Sequence, residues 1–165
     1  ILSLDRNLCW LDARAFEYFL SRADALWDKG TSRQNIDEAC DLICSAIELY
    51  RGEFLPDDQW LPNVMAMREH LHTKFLKALS RAGEHMVKTR QYDKAMQAIE
   101  YGLDIDDCAE EFYRLLMLCL QRQGHKAEAL TVFERCKRTL HTELGTDPSA
   151  EIETLARSIR SGEIQ

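Results

Sequence analysis

The chain has 165 residues, of which 45% are hydrophobic and 30% charged, enough for one soluble domain with a sizeable core. A net charge of −7 weighs against bare nucleic acid as a partner, because binding it needs a basic face that releases counterions. No apolar run is long enough to span a bilayer, and no secretory leader pattern stands at the start.

The opening residue is Ile1 rather than methionine, so the stretch reads as a piece of a longer polypeptide. Three prolines and seven glycines leave long unbroken segments, which favours helix over strand. The six cysteines read as free thiols rather than a disulfide framework. Cys40 and Cys44 fall on an apolar stripe and Cys119 and Cys136 on core-facing positions, implying a reducing, cytoplasmic compartment.

Residues 1–11 alternate loosely (Leu2, Leu4, Leu8, Trp10) and read as an extended segment or linker; residues 12–165 form the domain. Asp12 is the expected cap of a first helix, with Leu11 and Phe16 as a hydrophobic staple and Gly30 as its end. Asn35 and Glu38 have capping-box spacing ahead of the stripe Ile36, Ala39, Cys40, Ile43, Ile47 and Tyr50. The run RGEFLPDDQ marks a loop. From about Pro62 a long helix carries Val64, Met67, Leu71, Phe75, Ala78, Ala82 and Met86 on one face.

Asp93 is expected to open the next helix, and Asp107 with Glu110 the one after, which Gly124 closes. Ala129, Leu130, Phe133, Cys136 and Leu140 line a sixth helix ending at Gly145. Asp147 and Pro148 suit the cap and first position of a last one, with Ile152, Leu155, Ala156 and Ile159 inward. No stretch reads as a sheet.

Shifting the sequence by 34 residues lays Ala95 on Ala129, Met96 on Leu130, Ile99 on Phe133 and Gly102 on Cys136, with Leu79 on Tyr113 and Met86 on Leu120. That period is the length of a tetratricopeptide repeat, a helix–turn–helix unit. Small residues at Ala95, Ala129, Gly102 and Cys136 let paired helices approach closely, while Ile99 and Phe133 fill the space between them. Gly83 departs from the pattern, since Met117 takes its place. An earlier, degenerate unit fits Ala39, Ile43 and Ala46. The expectation is an all-α chain of tetratricopeptide-like hairpins, about seven helices in a right-handed superhelical stack. The alternative is a generic helical bundle.

LYRGEFLPDD, AGEHMVKTRQYDKAM and LHTELGTDPSAEIETL, together with LSLDRNLCWLDARAFE at the start, cover nearly the whole chain in order. This set resembles the bacterial transcriptional activator domain of the antibiotic regulatory protein family and related large regulators. The resemblance implies a tetratricopeptide-like regulatory module without catalytic motif, joined to a DNA-binding domain elsewhere in the polypeptide.

Chemistry-bearing motifs are scarce. His70 and His72 lie two apart, so on a helix they point roughly 200° from one another and chelate poorly. Cys40 and Cys44 lack a second ligand pair at zinc-site spacing. No phosphate-cradling loop, nucleophile elbow or H-E-x-x-H motif is present, and the acidic pairs Asp57–Asp58, Asp106–Asp107 and Glu110–Glu111 suit loops and helix starts. The reading is therefore of no enzyme, no cofactor and no metal site.

What remains is surface. In stacked repeats the first helices line the inner side. The register places Lys77, Ser80, Glu84 and Lys88 there from one unit, and Glu111, Arg114, Leu118, Gln121 and Arg122 from the next. Mixed cations with one apolar residue suit a peptide segment or an acidic helix, although a solvated or internally covered face fits equally. The segment around Trp10 is a second candidate. Expected partners are proteins: other domains of the same regulator, the transcription machinery, or a second copy as a homodimer. DNA is reached only through a domain outside this stretch, and no membrane is involved. The competing function is an adaptor or scaffold with no transcriptional role.

Overall fold

A computed structural model describes residues 12–28, 32–50 and 62–162. Among them are seven helices and no strand: α1 (Asp12–Asp28), α2 (Arg33–Leu49), α3 (Pro62–Lys88), α4 (Tyr92–Ile105), α5 (Glu110–Arg122), α6 (Lys126–Leu144) and α7 (Ala150–Ser161). Contacts divide the chain into two compact units between Ala78 and Leu79, within α3.

In the first unit, Phe16, Leu20 and Ala23 of α1 and Ala39, Ile43 and Ala46 of α2 are buried, as a 3.6-residue stripe on each helix requires. Ala39, Ile43 and Ala46, the residues of the expected degenerate unit, are wholly covered. Three rings pack together, from the start of α1, the end of α2 and the middle of α3. Phe75 of α3 stacks on Tyr50 with centroids 4.7 Å apart and nearly parallel planes, and Phe16 leans on both at 5.6 and 5.5 Å. Arg22 reaches Glu38 across α1 and α2 at 3.4 Å.

Several expected details differ. The cap of α2 is Ser32, whose hydroxyl accepts from the Asn35 amide at 3.3 Å, so the helix starts before the Asn35–Glu38 pair. Cys44 is exposed, lying roughly 100° around the axis from the centre of the buried stripe. Met67 is also exposed, because it sits at the edge of the α3 stripe, roughly 60° from Val64. Leu11, Gly30 and the RGEFLPDDQ loop fall outside the described residues, and with them the expected staple and helix end.

In the second unit the 34-residue period appears in the backbone itself. The Gln91 amide donates to Met86 O at 2.8 Å, and the His125 amide donates to Leu120 O at 2.8 Å. Ala95 to Gln91 O and Ala129 to His125 O are both 3.0 Å. The crest residue of each turn is left-handed, Arg90 at φ 61° and Gly124 at φ 86°. Two tight turns of one geometry therefore join α3 to α4 and α5 to α6.

Small residues set the spacing. A Cβ on Gly102 of α4 would stand 2.9 Å from Leu79 of α3 and 2.7 Å from the Phe112 ring of α5, too close for either. A Cβ on Gly83 of α3 would meet Leu115 of α5 at 3.2 Å and Ile99 of α4 at 3.5 Å. Residue 83 faces 99 while 79 faces 102, so α3 and α4 run antiparallel. Ala95, Ile99, Ala129 and Cys136 are fully buried, and Phe133 nearly so. The nearest neighbours of Gly102 thus belong to both its own hairpin and the next.

α7 seats on the second hairpin through Ile152, Ala156 and Ile159. Arg160 lies over the Phe133 ring at 5.5 Å and pairs with Glu134 at 3.2 Å. α6 ends at left-handed Gly145, as its glycine suggests. The start of α7 is later than expected: Ser149 is its cap, and its amide donates to Glu110 Oε2 at 2.9 Å. Nor does Asp107 cap α5. Asp106 Oδ1 accepts instead from the Cys108 amide at 3.0 Å, and Ala109 stands at the cap. α4 likewise begins at Tyr92, one residue before Asp93.

Candidate functional site

The first helices of the two hairpins, the C-terminal half of α3 and α5, carry all nine residues expected to dock a partner. None is buried. Lys77, Lys88 and Arg122 are exposed, and Ser80, Glu84, Glu111, Arg114, Leu118 and Gln121 are partly covered. Leu79, Ala82, Gly83 and Met86 of α3 are buried, and on α5 every residue from Phe112 to Leu120 is buried except Arg114 and Leu118, one turn apart on the same side of the helix.

Electrostatics divide this face. Glu84 receives Lys88 Nζ at 3.3 Å one turn along α3 and Arg114 Nη2 at 3.6 Å from α5. Arg114 also forks onto Glu111, with Nε donating to Oε2 at 2.8 Å and Nη2 to Oε1, and lies 3.5 Å from Glu151 of α7. Only 20% of its side chain is exposed. The hydrogen bond to Glu111, with the charges of Glu151 and Glu84, raises the guanidinium above its ordinary pKa. Arg114 therefore laces three helices together, whereas Lys77 and Arg122 make no ion pair among the described residues.

Glu151 is the member of this network that the sequence left unnamed. It sits beyond the two clear repeats, and its only signal was a place in the first turn of the last helix, where acidic residues are common for dipole reasons alone. The Trp10 alternative lies outside the described residues.

Other groups fit structural roles. His70, exposed on α3, has Nε2 3.5 Å from Glu17 Oε1, and His125 Nδ1 lies 2.7 Å from Glu128 Oε1 at the start of α6. Among the described residues one cluster has ligand-like atoms within 4.8 Å of one another, the consecutive Asp106, Asp107 and Cys108. Its atoms close the α4–α5 turn, Asp106 holding the Cys108 amide and Cys108 Sγ lying 3.5 Å from Asp107 Oδ1. Burial pushes the thiols of Cys40 and Cys136 up to about 12 and that of Cys119 up to about 11, the opposite of a reactive thiolate. No helix among the described residues is long and apolar enough to cross a membrane.

Comparisons with known proteins agree with this architecture. The regulatory protein AfsR of Streptomyces coelicolor is 29% identical over 132 residues, covering 80% of this chain but 13% of AfsR. A structure of Mycobacterium tuberculosis EmbR, in complex with a low affinity phosphopeptide, matches 99% of this chain and 42% of its own, with a TM-score of 0.74 and 19% identity. The C-terminal TPR-containing domain of a Plasmodium falciparum FK506-binding protein matches 93% of both chains at a TM-score of 0.60 and 13% identity. At these identities the two structures establish the fold alone, which is tetratricopeptide-like. The chain spans only a minor part of AfsR and less than half of the EmbR chain. The family model for the bacterial transcriptional activator domain matches residues 11–160, and the chain belongs to that family.

Proposed function

We propose that this chain is the regulatory protein-docking module of a bacterial transcriptional regulator, and that it docks its partner on α3 and α5, the first helices of the two hairpins. The observation that carries this reading is that Lys77, Ser80, Leu118, Gln121 and Arg122 are each at least partly accessible, while Arg114 is held in a self-satisfied network. Such a face supplies charge steering and one apolar contact, the ingredients of a selective peptide interface. The partner is another domain of the same regulator, the transcription machinery or a second copy. DNA contact belongs to a domain outside this stretch, and the setting is the bacterial cytoplasm. The module works by binding rather than by catalysis.

The test uses a regulator that carries this chain, with Lys77→Glu and Leu118→Asp introduced together. Reporter transcription should fall severalfold while promoter binding and thermal stability stay unchanged. Full transcription in that variant contradicts the reading. Loss of partner binding with transcription intact identifies an adaptor instead.

A further inference from the structure

Away from the Arg114 network, the turns of both hairpins open on one cleft of about 570 Å³. Three cations line it: Arg90 from the α3–α4 turn, Arg122 from the end of α5 and Lys126 from the first turn of α6. The lining contains no carboxylate. All three side chains are exposed, and none forms an ion pair among the described residues, whereas Lys88, Arg114 and Arg160 each pair with glutamate. In a chain with 28 acidic and 21 basic residues, that segregation leaves a local positive potential in a negative field.

The backbone shapes the same place. Arg90 holds φ 61°, a conformation costly for a side-chain-bearing residue and relaxed in its counterpart Gly124. Lys126 Nζ lies 3.2 Å from where a Cβ on Gly162 would stand, so the glycine at the end of α7 leaves room for the ammonium at that helix's carbonyl end. The lining also includes the partly covered Tyr92 and Ile159, which is almost wholly buried.

We infer that this cleft binds an extended acidic peptide segment, its carboxylates on Arg90, Arg122 and Lys126 and an apolar side chain against Tyr92. The choice of a peptide rests on the docking reading above and on the openness of the cleft, six of whose ten lining residues are exposed. Small metabolites favour enclosed sites that bury most of their surface. A long polyanion meets repulsion from the rest of a chain carrying −7.

The experiment titrates the chain, by fluorescence anisotropy, into a labelled twelve-residue peptide of Asp and Glu around a central Leu. A peptide with Asn and Gln in their place serves as the neutral control. The acidic peptide should bind, more weakly at higher salt, and at least tenfold more weakly to Arg122→Glu/Lys126→Glu. Both changes are at exposed positions, and circular dichroism checks that the fold is kept. Arg90→Gly should also weaken binding while relieving the turn. Lys137→Glu/Arg138→Glu, exposed on α6 outside both the cleft and the docking face, should change affinity less than twofold. Equal binding of the neutral peptide, unchanged affinity in the cleft variant, or full competition by millimolar inorganic phosphate overturns the inference. Loss confined to a docking-face variant, Lys77→Glu/Lys88→Glu, overturns the cleft while supporting the docking face. Absence of any acidic-peptide binding removes the cleft and leaves the docking reading to the reporter assay.

Discussion

The turns at residues 89–91 and 123–125 share their backbone hydrogen bonds yet differ at the crest, where one has Arg90 and the other Gly124. Glycine adopts the left-handed conformation without penalty, whereas arginine pays for it. Register and packing of the hairpin, rather than the identity of the crest residue, therefore decide the turn. The hairpins differ again at their closest approach. The first has Gly102, with no room for a Cβ beside Phe112, while the second has buried Cys136 in the matching place. The first second-helix is pressed between two neighbours, and the later position accommodates a side chain.

The largest effect should come from the residue that joins the hairpins. Phe112→Ala removes a ring that is 1% exposed and should destabilise the chain by about 3–5 kcal/mol in urea unfolding. A loss under about 1 kcal/mol breaks the claim that the ring seals Gly102. Next, Gly102→Val should cost about 1–3 kcal/mol by overpacking against Leu79 and Phe112. Cys136→Val, at the counterpart position, should cost less, and equal costs would erase the asymmetry between the hairpins.

The crest residues give smaller, opposite changes. Arg90→Gly should stabilise by about 1 kcal/mol and Gly124→Ala destabilise by a similar amount. No atom lies within 4 Å of the Cβ that Gly124 would gain, so backbone conformation alone sets that cost. Urea midpoints moving in the same direction would refute the shared geometry.

The smallest contrast is in pH dependence. The second hairpin holds Cys119 and Cys136, whose pKa values burial raises to about 11 and about 12, while α4 and the adjoining half of α3 contain no cysteine. A buried thiol with a raised pKa keeps its proton after the unfolded chain has released it, near 9. Its stabilising contribution is complete below pH 9 and declines as pH climbs towards 11 and 12. The melting temperature should fall over pH 9–11, and less steeply in Cys119→Ala/Cys136→Ala. Equal slopes would contradict the assignment.

Much of this architecture was legible because it rests on side-chain size and period. Ala95 over Ala129 and Gly102 over Cys136 mark the 34-residue repeat in the sequence itself, and the stripes of α3, α5 and α6 follow ordinary helical spacing. Caps were harder to read. Asp107 and Asp147 have favourable chemistry, but Ala109 and Ser149 stand at the caps, because tertiary contacts such as Glu110 on the Ser149 amide fix where the helices begin. Of the proposed docking residues, only their helical register was legible. That register turns Arg114 away from the buried stripe of α5, yet Glu84 and Glu151, from helices distant in sequence, engage that arginine within the domain. Arg90 and Lys126 come together only through the fold, and the one sequence trace of Arg90 is its alignment with Gly124.

Site-specific photo-crosslinking in cells expressing a regulator that carries this chain tests the docking account most directly. Crosslinkers replacing Lys77 and Leu118 on the first helices are compared with ones replacing Gln97 and Lys137 on the second. The account predicts protein adducts from Lys77 and Leu118 that are absent from Gln97 and Lys137. Adducts arising only from Gln97 and Lys137 would contradict it.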